Sequence, residues 1–115
     1  MVKGERFLPS DPFSMAQPPS AFLVSRRDDG FGDVYPLHHG ARYTLGRAPT
    51  NRVVLRDDLC SREHAEVFSA EGNWHVRDLG SLNGTFVNRR RIESSVLEDD
   101  DEVQIGKYRM TFLRR

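Results

Sequence analysis

Cysteine is almost absent: Cys60 is the single thiol among 115 residues. No internal disulfide can staple this fold, and the composition fits a reducing cytoplasm. Long apolar runs are missing as well. The cleanest, Ala21-Phe22-Leu23-Val24, falls far short of the ~20 residues that a bilayer-spanning helix needs. Near the N-terminus, Lys3 and Arg6 flank a start that Pro9-Ser10-Asp11 cuts off directly after Phe7-Leu8, which argues against a signal peptide. Net charge is lacking too. The 17 Lys+Arg balance 17 Asp+Glu, so no global field draws the chain toward nucleic acid or an acidic membrane. Metal-ligand spacing is equally scarce. One thiol and the adjacent pair His38-His39 make no zinc pattern. The run Glu98-Asp99-Asp100-Asp101-Glu102 lacks the alternating acids and central glycine of a calcium loop. The acidic run reads as a solvated turn, the histidines as surface or structural groups, and no cofactor or metal is expected.

What is present fits one domain with a single hydrophobic core. Residues 1–20 hold Pro9, Pro12, Pro18 and Pro19, four of the six prolines, and few apolar anchors. They read as a disordered leader. Met15 offers an alternative start of translation, which would make Met1 to Ser14 an upstream extension or a cloning remnant. From Ala21 to Leu113 apolar residues alternate at period two, in Tyr43/Leu45, Trp74/Val76, Val103/Ile105 and Tyr108/Met110/Phe112. Asp28-Asp29-Gly30, Glu71-Gly72-Asn73, Asn83-Gly84 and Gly106-Lys107 punctuate them as turns. No long amphipathic helix and no internal repeat interrupts the pattern. Closely spaced strands without helices predict an all-β, antiparallel sandwich.

Three polar clusters are more specific than a plain sandwich requires. Gly46-Arg47 closes one strand, Ser61-Arg62-Glu63-His64 precedes another, and Gly80-Ser81-Leu82-Asn83-Gly84-Thr85 joins two more. Sandwich loops gather at the two ends of the sheets, so three such loops can converge. Their chemistry suits a phosphate ester, which carries about −1.5 to −2 charge and three acceptor oxygens. Arg47 and Arg62 offer guanidinium groups able to grip two oxygens each. Ser61 adds a short neutral donor, and Asn83 presents both donor and acceptor to a peptide backbone. Gly84 permits a conformation that a β-carbon would resist.

In order, Gly46-Arg47, Ser61-Arg62-Glu63-His64, Ser81-Leu82-Asn83-Gly84-Thr85 and Asp101-x-Val103-x-Ile105-Gly106 resemble a forkhead-associated (FHA) domain. Asn51 to Leu55 and Phe86-Val87-Asn88 fit as flanks, and the likeness extends over residues 21–113. The resemblance implies an FHA/SMAD-like sandwich of about eleven short strands that binds phosphothreonine peptides through loops at one end. It implies that Arg47 and Ser61 hold the phosphate and that Arg62 meets the phosphate or nearby peptide backbone. Asn83 would bond the peptide main chain beside the modified residue. Leu82 stands where some members have threonine, so its backbone N–H is expected to serve there. Gly46, His64, Gly84 and Thr85 would support the site, His64 by tying loops together. Loops near 48–52, 56–60 and 80–84, with Arg52, Arg56 and Asp57, are expected to shape selectivity.

Ser61 and His64 suggest an esterase, but they lie three apart at a strand entrance with no nucleophile elbow. A phosphate-independent interaction sandwich would use another face. Arg89-Arg90-Arg91 suggests nucleic acid, yet its surroundings favour an exposed hairpin loop. Of Thr44, Thr50, Thr85 and Thr111, only Thr50 falls in a predicted loop. The sequence therefore predicts a non-enzymatic, cytoplasmic adaptor. Its phosphothreonine ligand would arrive in trans, or from a segment outside this sequence, downstream of a Ser/Thr kinase. The chain would be a module of a larger bacterial-type regulatory protein.

Overall fold

The computed structural model describes residues 18–26, 30 and 32–114. The expected leader over 1–20 lies outside the described residues except for 18–20, and so does most of the Asp28-Asp29-Gly30 turn. Eleven strands are formed among the described residues: β1 (Ala21–Ser25), β2 (Val34–Leu37), β3 (Arg42–Gly46), β4 (Val53–Val54), β5 (Ala65–Ala70), β6 (Asn73–Asp78), β7 (Thr85–Val87), β8 (Arg90–Ile92), β9 (Ser94–Leu97), β10 (Glu102–Ile105) and β11 (Tyr108–Arg114). No described helix is long and apolar enough to cross a membrane.

Five strands form one sheet in the order β9-β6-β5-β3-β4, and six form the other in the order β2-β1-β11-β10-β7-β8. The pairing is antiparallel with one exception: β4 runs parallel to β3, with Leu45 opposite Val53. The alternation read from the sequence decides which face is inward. Tyr43, Leu45, Val67, Trp74 and Val76 point from the first sheet toward Leu23, Val103, Ile105, Met110 and Phe112 of the second, and all are buried. Trp74 is fully buried, 6.5 Å from the Phe112 ring and 5.6 Å from that of His39. His39 is thus a ring stacked over the edge of the core. Tyr108 is only half-buried, because it closes the end of the core and its hydroxyl accepts from the Arg56 N–H at 3.1 Å.

Arg89-Arg90-Arg91 is not a loop throughout. Asn88 and Arg89 form the turn, with φ of 50° and 70°, while Arg90 and Arg91 belong to edge strand β8. An edge strand tolerates such charge because one side faces water and repels stray pairing. The acidic run is a turn only in part: Glu98 to Asp100 are exposed, tied by the Asp101 carboxylate accepting from the Glu98 N–H at 2.8 Å, while Glu102 already begins β10.

The loops after β3, before β5, after β6 and between β10 and β11 all emerge at one end of the sandwich, as antiparallel pairing of these strands requires. That end carries Gly46, Arg47, Ser61, Arg62, His64, Leu82, Asn83, Gly84 and Thr85, whereas Arg52 sits back along β3, its N–H donating to Thr44 Oγ1 and its guanidinium over the Tyr43 ring.

Candidate functional site

The loop after β3 and the loop before β5 are zipped together by backbone. Arg47 N–H donates to the Ser61 carbonyl at 3.0 Å, and Ala48 N–H to the Arg62 carbonyl at 3.1 Å. Gly46 makes this approach feasible, since a β-carbon there would collide with the Arg62 carbonyl and lie 2.9 Å from Asn51 Nδ2. Asn51 completes the joint. Its buried amide donates to the Ala48 carbonyl at 2.8 Å and the Arg62 carbonyl at 2.7 Å. Arg47 then leaves the zipper exposed, with Nε donating to the Cys60 carbonyl at 3.2 Å. That bond fixes the stem and leaves the two terminal nitrogens for an outside acceptor.

Ser61 is half-buried and anchored from two sides. Its N–H donates to His64 Nδ1 at 3.0 Å, and its Oγ accepts from the Leu82 N–H at 3.1 Å. With one lone pair engaged, the hydroxyl proton remains to be given away. His64 is fully buried, and its Nε2 lies 2.8 Å from the Gly84 carbonyl. Because Nδ1 receives a backbone N–H, the ring proton sits on Nε2 and is donated to Gly84. The histidine backbone adds two more links, accepting from Leu79 N–H and donating to the Leu45 carbonyl, each at 2.9 Å. Two loops therefore meet on one imidazole, and the histidine backbone ties both to β3. Both ring nitrogens are consumed by backbone, and neither touches Ser61 Oγ, so the Ser61/His64 pair has no general base.

The loop after β6 is organised by Asp78. Its Oδ2 accepts from the N–H groups of Gly80 and Ser81, both at 3.0 Å, and its Oδ1 from the hydroxyls of Ser81 at 2.5 Å and Thr85 at 2.7 Å. Partial burial pushes this carboxyl up, but the Ser81 and Thr85 hydroxyls and the backbone donors outweigh it, so it titrates below the ordinary range. Ser81 Oγ in turn accepts from the Gly84 N–H at 2.9 Å. Gly84 itself sits at φ +95°, where a side chain is strained. The result presents Leu82 and Asn83 outward. Leu82 is 84% exposed, and its contribution to the site is the backbone N–H that bonds Ser61.

Asn83 does not point freely into solvent. Its Nδ2 donates to the Leu59 carbonyl at 3.0 Å, bridging to the loop before β5 and leaving Oδ1 as the outward group. Arg62 is exposed and meets no carboxylate among the described residues.

Of the expected residues, Gly46, Arg47, Ser61, Arg62, His64, Leu82, Asn83, Gly84 and Thr85 are all brought to one end and, Arg62's side chain apart, tied into one network. Thr85 supports it from below, fully buried. Sequence reasoning missed Asn51 and Asp78 as organisers, and gave Asp57 a part in selectivity but none in building the site. Asp57 accepts from Leu59 N–H at 3.0 Å and from Lys107 N–H at 2.6 Å, so it pins the carbonyls that hold Arg47 and Asn83. The signal available was a buried-type Asn or Asp inside a loop, flanked by strand. Cys60 packs beneath: burial, then the Asp57 charge, pushes its thiol up to about 11, which keeps it protonated and unreactive.

The FHA domain family model matches residues 43–106, more than half of the chain. The chain belongs to the FHA domain family. It is 45% identical over 96 residues to the glycogen accumulation regulator GarA of Mycobacterium tuberculosis, covering 84% of this chain and 59% of that relative. It is 50% identical over 94 residues to the oxoglutarate dehydrogenase inhibitor of Corynebacterium diphtheriae, covering 82% and 65%. EmbR of Mycobacterium tuberculosis, solved in complex with a low affinity phosphopeptide, superposes with a TM-score of 0.76 at 31% identity, over 88% of this chain and 26% of that one. The FHA domain described above thus spans about three-fifths of the length of the curated relatives it matches.

Proposed function

We propose that this FHA domain is a phosphothreonine-dependent protein-binding module that catalyses nothing and acts in a cytoplasmic regulatory pathway. The observation that carries the reading is the Arg47–Ser61 joint. One backbone bond, one fixed guanidinium stem and one anchored hydroxyl leave two charged donors and a neutral one facing outward together. Arg62, unpaired with any carboxylate among the described residues, supplies a further cation. Asn83 Oδ1 is suited to accept a peptide N–H beside the modified threonine. Support also comes from the relatives, whose names describe a regulator and an inhibitor, and from a neighbour that carries a phosphopeptide.

Binding is conditional because an unmodified threonine offers nothing to neutralise Arg47. The ligand arrives in trans, or from a segment of a longer protein outside this sequence, after a Ser/Thr kinase has acted. Thr44, Thr85 and Thr111 lie within strands, and Thr85 is buried, which leaves Thr50 alone in a loop.

Each charge-assisted hydrogen bond to the phosphate contributes ~1.5–3 kcal/mol. Arg47→Ala is therefore expected to weaken a phosphothreonine peptide by ~10- to 150-fold, read by isothermal titration against a phosphopeptide library. Equal affinity of wild type and variant, or equal binding of phosphorylated and plain peptides, rejects the reading.

A further inference from the structure

We propose that Arg91, on β8, forms a second anion-reading position beside the phosphothreonine site and selects peptides bearing an acidic side chain near the modified threonine. The proposal rests on the phosphopeptide reading and adds a residue and a ligand chemistry to it.

The observation is at Gly84. A β-carbon on that residue would lie 2.7 Å from Arg91 Nε, 2.9 Å from its Cζ and 3.3 Å from its Cδ. The guanidinium and its stem are therefore laid against the Gly84 Cα. Gly84 is buried although its predecessors Leu82 and Asn83 are exposed, and Arg91 lies against it. The register explains how a strand residue reaches this place: Arg91 stands opposite Phe86, and Ile92 opposite Thr85, at the end of β8 nearest the site. Gly84 thus has two tasks, a backbone angle and an open floor for this arginine.

The charge on Arg91 is uncompensated. Arg42 and Arg77 share Glu66, and Arg89 lies 4.0 Å from Glu102. Arg91 remains exposed with no carboxylate partner among the described residues. A guanidinium held by packing, one residue from the side chain expected to touch the ligand backbone, loses little further freedom on meeting an anion. Arg91 reaches the loop from β8 across Gly84, whereas Arg47 and Ser61 are joined through the loops after β3 and before β5. The anion assigned to Arg91 is accordingly a neighbouring side chain of the same peptide, with the phosphate left to Arg47 and Ser61. A carboxylate or a second phosphate would serve. Extended peptide advances about 3.3–3.6 Å per residue, so a few residues from the phosphothreonine suffice to reach it.

The test uses the whole chain and synthetic phosphothreonine peptides in which one Glu is moved along an otherwise neutral sequence, with matched peptides carrying phosphoserine instead. Wild type, Arg91→Gln and Arg91→Lys are titrated by fluorescence anisotropy at low and physiological salt. Wild type is expected to favour one Glu position by about 3- to 5-fold at low salt, less at high salt. Arg91→Gln should erase that preference while binding the neutral phosphopeptide within about 2-fold of wild type, and Arg91→Lys should keep part of it. A gain with phosphoserine exceeding that with Glu assigns the position to a second phosphate. The proposal is overturned if wild type prefers no anionic position, if Arg91→Gln retains the preference, or if it weakens neutral and acidic peptides alike. A wild type that binds no phosphopeptide overturns the underlying reading, and this one with it.

Discussion

Replacing Asp78 tests how much of the site is built by groups that never meet the ligand. The carboxylate receives Gly80 N–H, Ser81 N–H and the hydroxyls of Ser81 and Thr85. In Asp78→Ala the Thr85 hydroxyl, fully buried, loses its acceptor, a cost of ~1–3 kcal/mol. The Ser81 hydroxyl and the two backbone donors can turn to water, so each adds only ~0.5 kcal/mol. The sum is about 3 kcal/mol, survivable for a domain with about 5–15 kcal/mol in hand. Urea unfolding should show that loss, and peptide affinity should fall ~10-fold as the loop bearing Leu82 and Asn83 loosens. Thr85→Val removes the same bond from the other side, so the double variant should cost about 1 kcal/mol less than the two singles added. The pH dependence has a definite sign. The folded carboxyl titrates below its ordinary value, so its stabilisation is complete above pH ~4 and fades as pH falls through the lowered folded value. The gap between wild type and Asp78→Asn should therefore be constant near neutrality and close in acid. A loss under about 1 kcal/mol, or a gap that widens in acid, refutes this account of the loop.

Two further outcomes follow from single residues. Asn51→Ala removes one of two donors from each of the Ala48 and Arg62 carbonyls, which keep the Asn51 and Ala48 N–H groups, and should cost about 1–2 kcal/mol in chemical denaturation, lowering phosphopeptide affinity alongside. Arg89 occupies φ 70° in the turn before β8, a region that disfavours a β-carbon by about 1–2 kcal/mol. Arg89→Gly should relieve it and, after the extra freedom given to the unfolded chain, raise stability by ~0.5–1 kcal/mol in a thermal melt.

The architecture was legible where periodicity operates. Tyr43/Leu45 and Trp74/Val76 alternate in sequence and turn the same face to the core in space. Strand β4 was not legible, because Val53–Val54 is too short to display a period and its parallel pairing depends on where the loop after β3 is pinned. Arg90 and Arg91 read as loop because like charges suggest solvent, whereas an edge strand gives them solvent without leaving the sheet. At the site, the outward residues were legible as a pattern of ordered motifs. Their organisers were not. Asn51 acts on a carbonyl 11 residues away and Asp57 on an N–H 50 residues away, and no local rule links such pairs.

That difference divides the site into two classes of side chain with separable signatures. Asn51, Asp57, His64, Asp78 and Thr85 spend their hydrogen bonds on the protein's own loops, so altering them moves stability and affinity together. Arg62, Leu82 and Arg91 are exposed, and their side chains form no hydrogen bond or ion pair among the described residues, so altering them moves affinity or selectivity alone. Arg47 and Ser61 straddle the division, one stem or lone pair bound inward and the remaining donors outward. Holding donors in place before the ligand arrives spares the entropy of ordering them on binding. For Asp57 the balance is visible in its charge. Burial pushes the carboxyl up, but the Leu59 and Lys107 N–H groups and the Lys107 charge bring it below its usual value. It thus remains ionised wherever the domain is folded and neutral solution prevails. The cradle proposed for a doubly charged anion is therefore framed partly by half-buried carboxylates, Asp57 and Asp78, whose charge is offset by hydrogen-bond donors of the protein's own loops.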